Sequence, residues 1–344
     1  MYAVYKLTIS DYICTNVSTP LLIRTGFLGG LFFMSAYIKP PLSYEDQLSQ
    51  LVGRGLDIEN PEKASHLLAQ ISYYRLSAYW YPLLANPKSA HLFSPGSTFR
   101  QAYDMYLFDR ELRLLIINEI EKVEVSLRAT IIYELSHQSG PFWYTDASQF
   151  DDPVKHSHTI IKLTKEYQRS KEEFIEAFRR KYADPLPPAW MMMEITTFGT
   201  LSMLYKSLLP SPAKNAVASR YQLNVKALVS WIHSLVYVRN VLAHHCRFWN
   251  KKISVSPMLL KSPKLPFTNT TTIPRWGRPY PVSYTAYYTI CMLRYLLFTI
   301  NPNSTFKEKL FALFAKYPNI DLESMGFPRK YLDETFWKSD YDGT

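Results

Sequence analysis

Residues 99–135 read FRQAYDMYLFDRELRLLIINEIEKVEVSLRATIIYEL, a run without glycine or proline. Leu107, Leu112, Leu115, Ile116, Ile120, Val123, Leu127, Ile131 and Leu135 recur in it mostly three or four positions apart. That is the period of one helix face, not the alternation of a strand. The run predicts a single long helix, with room for one break, closed by Gly140 and Pro141. Working outward, Ser43 with Asp46 reads as a capped start for a helix over 44–52, and Pro61 opens a helix that runs towards Tyr81. Residues 86–96 read as loop, 153–182 as a charged helical stretch, and 189–208 as a nearly all-apolar helix weakened at Gly199. Further helices are expected over 211–220, 225–248, 283–300 and 306–317, and 321–337 closes the chain. Residues 250–281 hold prolines at 257, 263, 266, 274, 279 and 281 and read as a long irregular basic loop. Strand-like alternation of any length is missing, so the fold class is all-α, with residues 41–344 taken as one domain.

Residues 1–40 are of a different character. Their most apolar part, GFLGGLFFMSAY at 26–37, is shorter than the roughly 20 residues a spanning helix needs. Met34 stands just before the organised sequence, so 1–40 are expected to be a non-native extension or a loosely ordered tail, without stable membrane association. Cys14, Cys246 and Cys291 lie far apart and form no CxxC pair, which fits a reducing cytoplasm better than a disulfide framework or a structural zinc site.

The 344-residue chain carries a formal charge of +10, and that charge is unevenly placed. Residues 195–307 contain no Asp or Glu but fourteen Lys and Arg. A span so free of carboxylates points to a polyanionic partner, above all nucleic acid. Lys251, Lys252, Arg275, Trp276 and Arg278 mix phosphate-binding and base-stacking groups within it and are the candidate RNA contacts.

Inside that span, 231–250 read WIHSLVYVRNVLAHHCRFWN. Trp231, Leu235, Val238, Val241 and Leu242 follow the pattern of a buried helix, which Arg239, Asn240, His244, His245 and Arg247 interrupt. Arginine is a fixed fork of donors for phosphate oxygens, and histidine exchanges protons near neutral pH. Five residues along a straight helix turn about 500° and rise about 7.5 Å, so Arg239 and His244 would diverge by about 140°. Two copies of the helix meeting across a two-fold axis would bring two Arg/His sets into one cleft. These groups suit RNA cleavage without a metal or cofactor. The ribose 2′-OH is already tethered beside the phosphorus, a histidine moves the proton, and the arginine holds the phosphate charge. Products would be a 2′,3′-cyclic phosphate and a 5′-OH, and DNA would be left intact.

The stretch Arg239-Asn240-Val-Leu-Ala-His244-His245-Cys-Arg247-Phe-Trp249-Asn250 resembles the signature of AbiD/AbiF-type abortive-infection proteins, of the HEPN superfamily. Further blocks carry the same resemblance: QLSQLVGRG at 47–55, ISYYRLSAY at 71–79, FDRELRLLIINEIEKVEVSLR at 108–128, AWMMMEITTFGTLS at 189–202 and MGFP at 325–328. The likeness spans about 44–337. It implies a HEPN-type helical bundle with additional helices, homodimerisation, and a toxin-like ribonuclease of phage defence, restrained by a protein or a small antitoxin RNA.

By that resemblance Arg239 is the phosphate-binding arginine and either His244 or His245 the proton-transfer residue. Asn240 fills the motif's polar position, and Arg247 supports it. Glu194, just before the carboxylate-free span, is expected to orient Arg239 or to cap it at rest. Arg75 and Arg128 are read as buried arginines paired with a helix carboxylate such as Glu121 or Glu124, and Tyr73, Tyr74, Tyr79 and Trp80 as core. The competing function is a non-catalytic RNA-binding regulator using the same basic face. A less favoured one makes Tyr237 an acceptor for a partner nucleotidyltransferase.

Overall fold

The computed structural model describes residues 37–275 and 277–338, so the expectations for 1–36 and for Trp276 lie outside the described residues. The described chain is helical apart from one short hairpin and isolated bridges, as an all-α fold requires. It divides into two compact units, up to Leu107 and from Phe108 onward.

In the first unit α1 (Tyr44–Gly53) starts where Ser43 accepts a hydrogen bond from the Asp46 amide, and α2 (Pro61–Ile71) starts with Pro61 behind the Asn60 cap. The helix expected to reach Tyr81 is broken. Ser72 takes a left-handed φ of 76° and caps a new helix, α3 (Tyr73–Trp80), through the Arg75 amide. Tyr79 and Trp80 are buried, as expected of core residues. Tyr73 is only half-buried and Tyr74 and Arg75 are exposed, which corrects their reading as core.

Helix α4 (Phe99–Ser139) runs 41 residues without a break and ends at Gly140, whose φ of +80° suits glycine. In the second unit its buried spine is Phe108, Leu112, Ile116, Ile120, Val123, Leu127, Ile131 and Leu135. Arg128 lies on the same helix and matches its expectation: it pairs with Glu124 at 2.9 Å and donates to the Thr196 carbonyl at 3.0 Å.

The charged stretch forms α5 (Pro153–Arg169) and α6 (Glu173–Lys181), separated at 170–172. The apolar helix expected over 189–208 is also two pieces, α7 (Ala189–Met192) and α8 (Phe198–Ser207). The break falls before Gly199, because the Thr197 hydroxyl caps α8 by accepting from the Thr200 amide at 3.2 Å. Helix α9 (Pro212–Arg220) leads to α10 (Val225–Ala243), which packs on α8 and α9.

The proline-rich segment is not wholly irregular. Strands β1 (Thr272–Arg275) and β2 (Arg278–Pro281) pair antiparallel across a two-residue turn in which Gly277 has φ +71°. Helix α11 (Ala286–Ile300) is buried nearly all round, the mark of a core helix, and Tyr295 on it meets Trp231 of α10 edge to face at 5.4 Å. After α12 (Phe306–Lys316), the chain closes through Gly326 and α13 (Thr335–Lys338). Any side chain at Gly326 would collide with Thr285, so only glycine lets Phe327 reach Tyr287, 4.7 Å away.

Candidate active site

Helix α10 begins at Asn224, whose side chain accepts from the Ala227 amide at 2.9 Å. One face is sealed by Leu228, Trp231, Leu235, Val238, Val241 and Leu242. Arg239 is half-buried and Asn240 exposed in the last two turns. The helix then ends at Ala243, five residues before the expected limit of 248. His245 donates its amide to the Leu242 carbonyl at 2.9 Å and Cys246 donates to the Val241 carbonyl at 3.0 Å. That bond pair is the Schellman closure, and it places His245 at the left-handed position with φ 55°. Glycine usually holds that position; histidine is one of the side chains that tolerates it, so the stop leaves no glycine in the sequence to betray it.

The segment after this turn is fixed from a distance. Asp109 on α4 is wholly buried. Its carboxylate accepts from the Phe248 amide at 3.0 Å and the Trp249 amide at 2.8 Å, and from the Arg113 guanidinium at 2.6 Å. Both carboxylate oxygens are therefore occupied, which is how a buried charge is kept in place. Phe248 and Trp249 are themselves buried. His244, His245 and Cys246 stay exposed, and Arg247 half-buried, between this clamp and the helix end.

Arg239 makes only a long contact of 3.5 Å from Nη1 to the Asn240 Oδ1, and among the described residues it pairs with no carboxylate. Glu194 does not reach it. That side chain is exposed and lines an open cleft of about 580 Å³ with Glu166, Arg169, Glu172 and Phe174. Arg239, Asn240, His244 and His245 thus come together on one helix end, and Glu194 is not joined to them by a hydrogen bond or ion pair.

Among the basic candidates, Lys251 is half-buried, and Lys252 is exposed with Nζ 5.2 Å from the Tyr284 ring. Arg275 is part of the scaffold: it lies over the Tyr280 ring at 5.2 Å and donates to the Asn250 carbonyl at 3.4 Å, tying the hairpin to the end of the motif. Burial lowers its pKa from the usual arginine range. Arg278 is exposed. The Tyr237 hydroxyl donates to Ser254 at 3.3 Å. Among the described residues no cluster of three His, Cys, Asp or Glu side chains is arranged to hold a metal ion. Asp109 is the functional neighbour that sequence reasoning missed; its only trace is its place in the FDRELR block.

An all-helical chain with an exposed Arg/His turn at the end of a buried helix defines the class. Residues 66–250, more than half the chain and including the whole motif, match the family model described as Abi-like protein, and the chain belongs to that family. No curated protein and no solved structure matches it. Among the described residues no helix is long and apolar enough to cross a membrane.

Proposed function

We propose that this chain is a metal-independent endoribonuclease of the HEPN type, acting in abortive infection or a toxin–antitoxin pair. The observation that carries the reading is the pairing of an arginine without a carboxylate partner and exposed histidines on a turn pinned at both ends. Arg239 takes the phosphate oxygens, and its freedom from carboxylates leaves its donors to the substrate. His244 takes the proton of the 2′-OH as that oxygen bonds to phosphorus. The bond from phosphorus to the 5′ oxygen breaks, and that oxygen receives a proton from a second histidine. The equivalent histidine of a second copy supplies it, so the reading includes a homodimer whose two motifs share one cleft. Asn240 steadies Arg239, and Arg247, Lys252 and Arg278 hold flanking phosphates.

The test is to incubate the purified full chain with RNA in EDTA and map the ends. Cyclic-phosphate and 5′-OH ends that disappear in the His244→Ala, His245→Ala double variant are expected, with DNA of the same sequence untouched. RNA that is retarded but intact would overturn the nuclease reading in favour of a binding regulator. Sedimentation of the chain alone, expected at twice the monomer mass, tests the shared cleft.

A further inference from the structure

At the opposite end of α10 from the motif is a second concavity, of about 540 Å³, lined by side chains including Gln222, Asn224, Lys226, Met258, Leu260 and Lys264. Its walls are fixed. On one side the Met258 carbonyl accepts from the Trp231 indole at 2.9 Å and from the Tyr288 hydroxyl at 3.1 Å, while the Met258 amide donates to Ser230 at 2.9 Å. On the other, Gln222 takes a left-handed φ of 55°, and its carbonyl accepts from the Tyr295 hydroxyl at 3.1 Å. A concavity whose two walls are each hydrogen-bonded to the core needs little ordering when a ligand enters.

Its chemistry is specific in kind. Lys226 and Lys264 are exposed at the cleft, and Arg220 and Lys261 are exposed close by in the chain. The lining lies wholly within 195–307, where no carboxylate exists to neutralise them. Met258 and Leu260 provide apolar surface, and the exposed side chains of Gln222 and Asn215 provide donors and acceptors. Cations for phosphate, apolar surface for a base face and amides for a base edge together describe one ligand, single-stranded nucleic acid. An acidic protein segment would use the lysines but leave the amides and the apolar floor without a purpose.

We infer that this cleft is a second binding site for RNA, which holds the strand away from the scissile linkage. The inference rests on the reading that the chain acts on RNA. Helix α10 sets the separation: 225 to 243 spans about 27 Å at 1.5 Å per residue. A substrate must run several nucleotides beyond the cut to occupy both places, so the cleft favours long single strands.

The experiment uses the full chain with a 2′-O-methyl RNA oligonucleotide, which binds without being cut, and with two cleavable RNAs, one long and one a dinucleotide. The variant is Lys226→Ala with Lys264→Ala, both exposed, and its melting is expected to match wild type. Affinity for the long strand should fall about tenfold, and the slope of log affinity against log salt should shrink by about 1.4, the share of two phosphates on a single strand. Cleavage of the long RNA should show a raised KM with kcat kept, and cleavage of the dinucleotide should not change. Photo-crosslinking of 4-thiouridine RNA to wild type should label the peptide over 258–264. An unchanged affinity and slope, or an equal loss in the control pair Lys309→Ala with Lys330→Ala, would overturn the cleft. If wild type cuts no RNA while binding still depends on the lysine pair, the cleft stands and the nuclease reading falls. If wild type cuts RNA and the lysine pair is indifferent, the cleft alone falls.

Discussion

Two arginines from the same carboxylate-free span meet opposite fates. Arg294 on α11 is 7% exposed, its guanidinium lies 5.1 to 5.6 Å from the rings of Phe298, Phe336 and Trp337, and Nε donates to the Phe336 carbonyl at 3.2 Å. Arg239 on α10 is half-buried and has one long contact to its neighbour. Both interrupt apolar helices, and nothing in the local sequence separates them. The difference lies in what closes over each. The C-terminal segment carrying Phe336 and Trp337 covers Arg294 with aromatic rings, whereas α10 stops at Ala243 and leaves its last turns to solvent. An arginine sealed by rings holds the fold; one left without a fixed partner is available for a ligand.

The sharpest way to break this comparison is through the clamp that keeps the open end in place. Asp109→Ala leaves the Arg113 charge buried without its carboxylate and strands the Phe248 and Trp249 amides. Removing one member of a buried ion pair costs about 3–5 kcal/mol, so urea unfolding should shift by that amount. Asp109→Asn keeps an acceptor for the amides and should cost less, with amide exchange at 248 and 249 slowed relative to the alanine variant. If Asp109→Ala unfolds no more easily than wild type, the clamp is not what fixes the turn.

The arginines themselves come next. Arg239→Ala should lower RNA cleavage by about 10²–10³, the usual effect of deleting a group that stabilises transition-state charge. Its stability should stay within about 0.5 kcal/mol of wild type, since no carboxylate or carbonyl loses a partner. Arg294→Ala should do the reverse, costing about 2–3 kcal/mol through lost ring contacts and one hydrogen bond, with cleavage by the remaining folded protein unchanged. Calorimetry beside single-turnover cleavage separates the two. A loss of stability in Arg239→Ala equal to that in Arg294→Ala would erase the distinction.

How much of the molecule is legible in its sequence depends on the range of each interaction. The spine of α4 can be read residue by residue, because a repeat of three and four over a run without glycine or proline is local information. The breaks at Ser72 and Thr197 cannot, since each depends on a hydroxyl choosing a nearby amide over solvent, a choice that tertiary packing decides. The hairpin at 272–281 is hidden by prolines at 274, 279 and 281, which argue against strands and are tolerated here in a two-stranded ribbon. In the candidate site, Arg239, Asn240, His244 and His245 are evident as polar intrusions in an apolar pattern. Asp109 is not, because it is 139 residues from Phe248 and no periodicity links them. Glu194 stands out in the sequence for its place at the edge of the carboxylate-free span, and that place did not bring it to Arg239.

The smallest expected effect decides how the two histidines divide the work. His245 carries the positive φ of 55°, and a side chain held there costs up to about 1–2 kcal/mol relative to glycine, less for histidine than for bulkier residues. His245→Gly should therefore raise stability, offset by the greater backbone freedom glycine brings to the unfolded chain, for a net gain of about 0.5 kcal/mol. His244 stands one residue earlier, as the helix cap with φ −85° and ψ 11°, and its backbone carries no such strain. If His244 is the proton-transfer group and His245 shapes the turn that presents it, His245→Gly keeps most of the cleavage while melting slightly later, and His244→Ala loses cleavage at unchanged stability. The reversed pattern, with activity lost in His245→Gly and kept in His244→Ala, would move the chemistry onto the strained residue. The left-handed backbone would then be part of how the site aims its histidine, since a side chain leaving a left-handed residue departs in a direction that no helical position can supply.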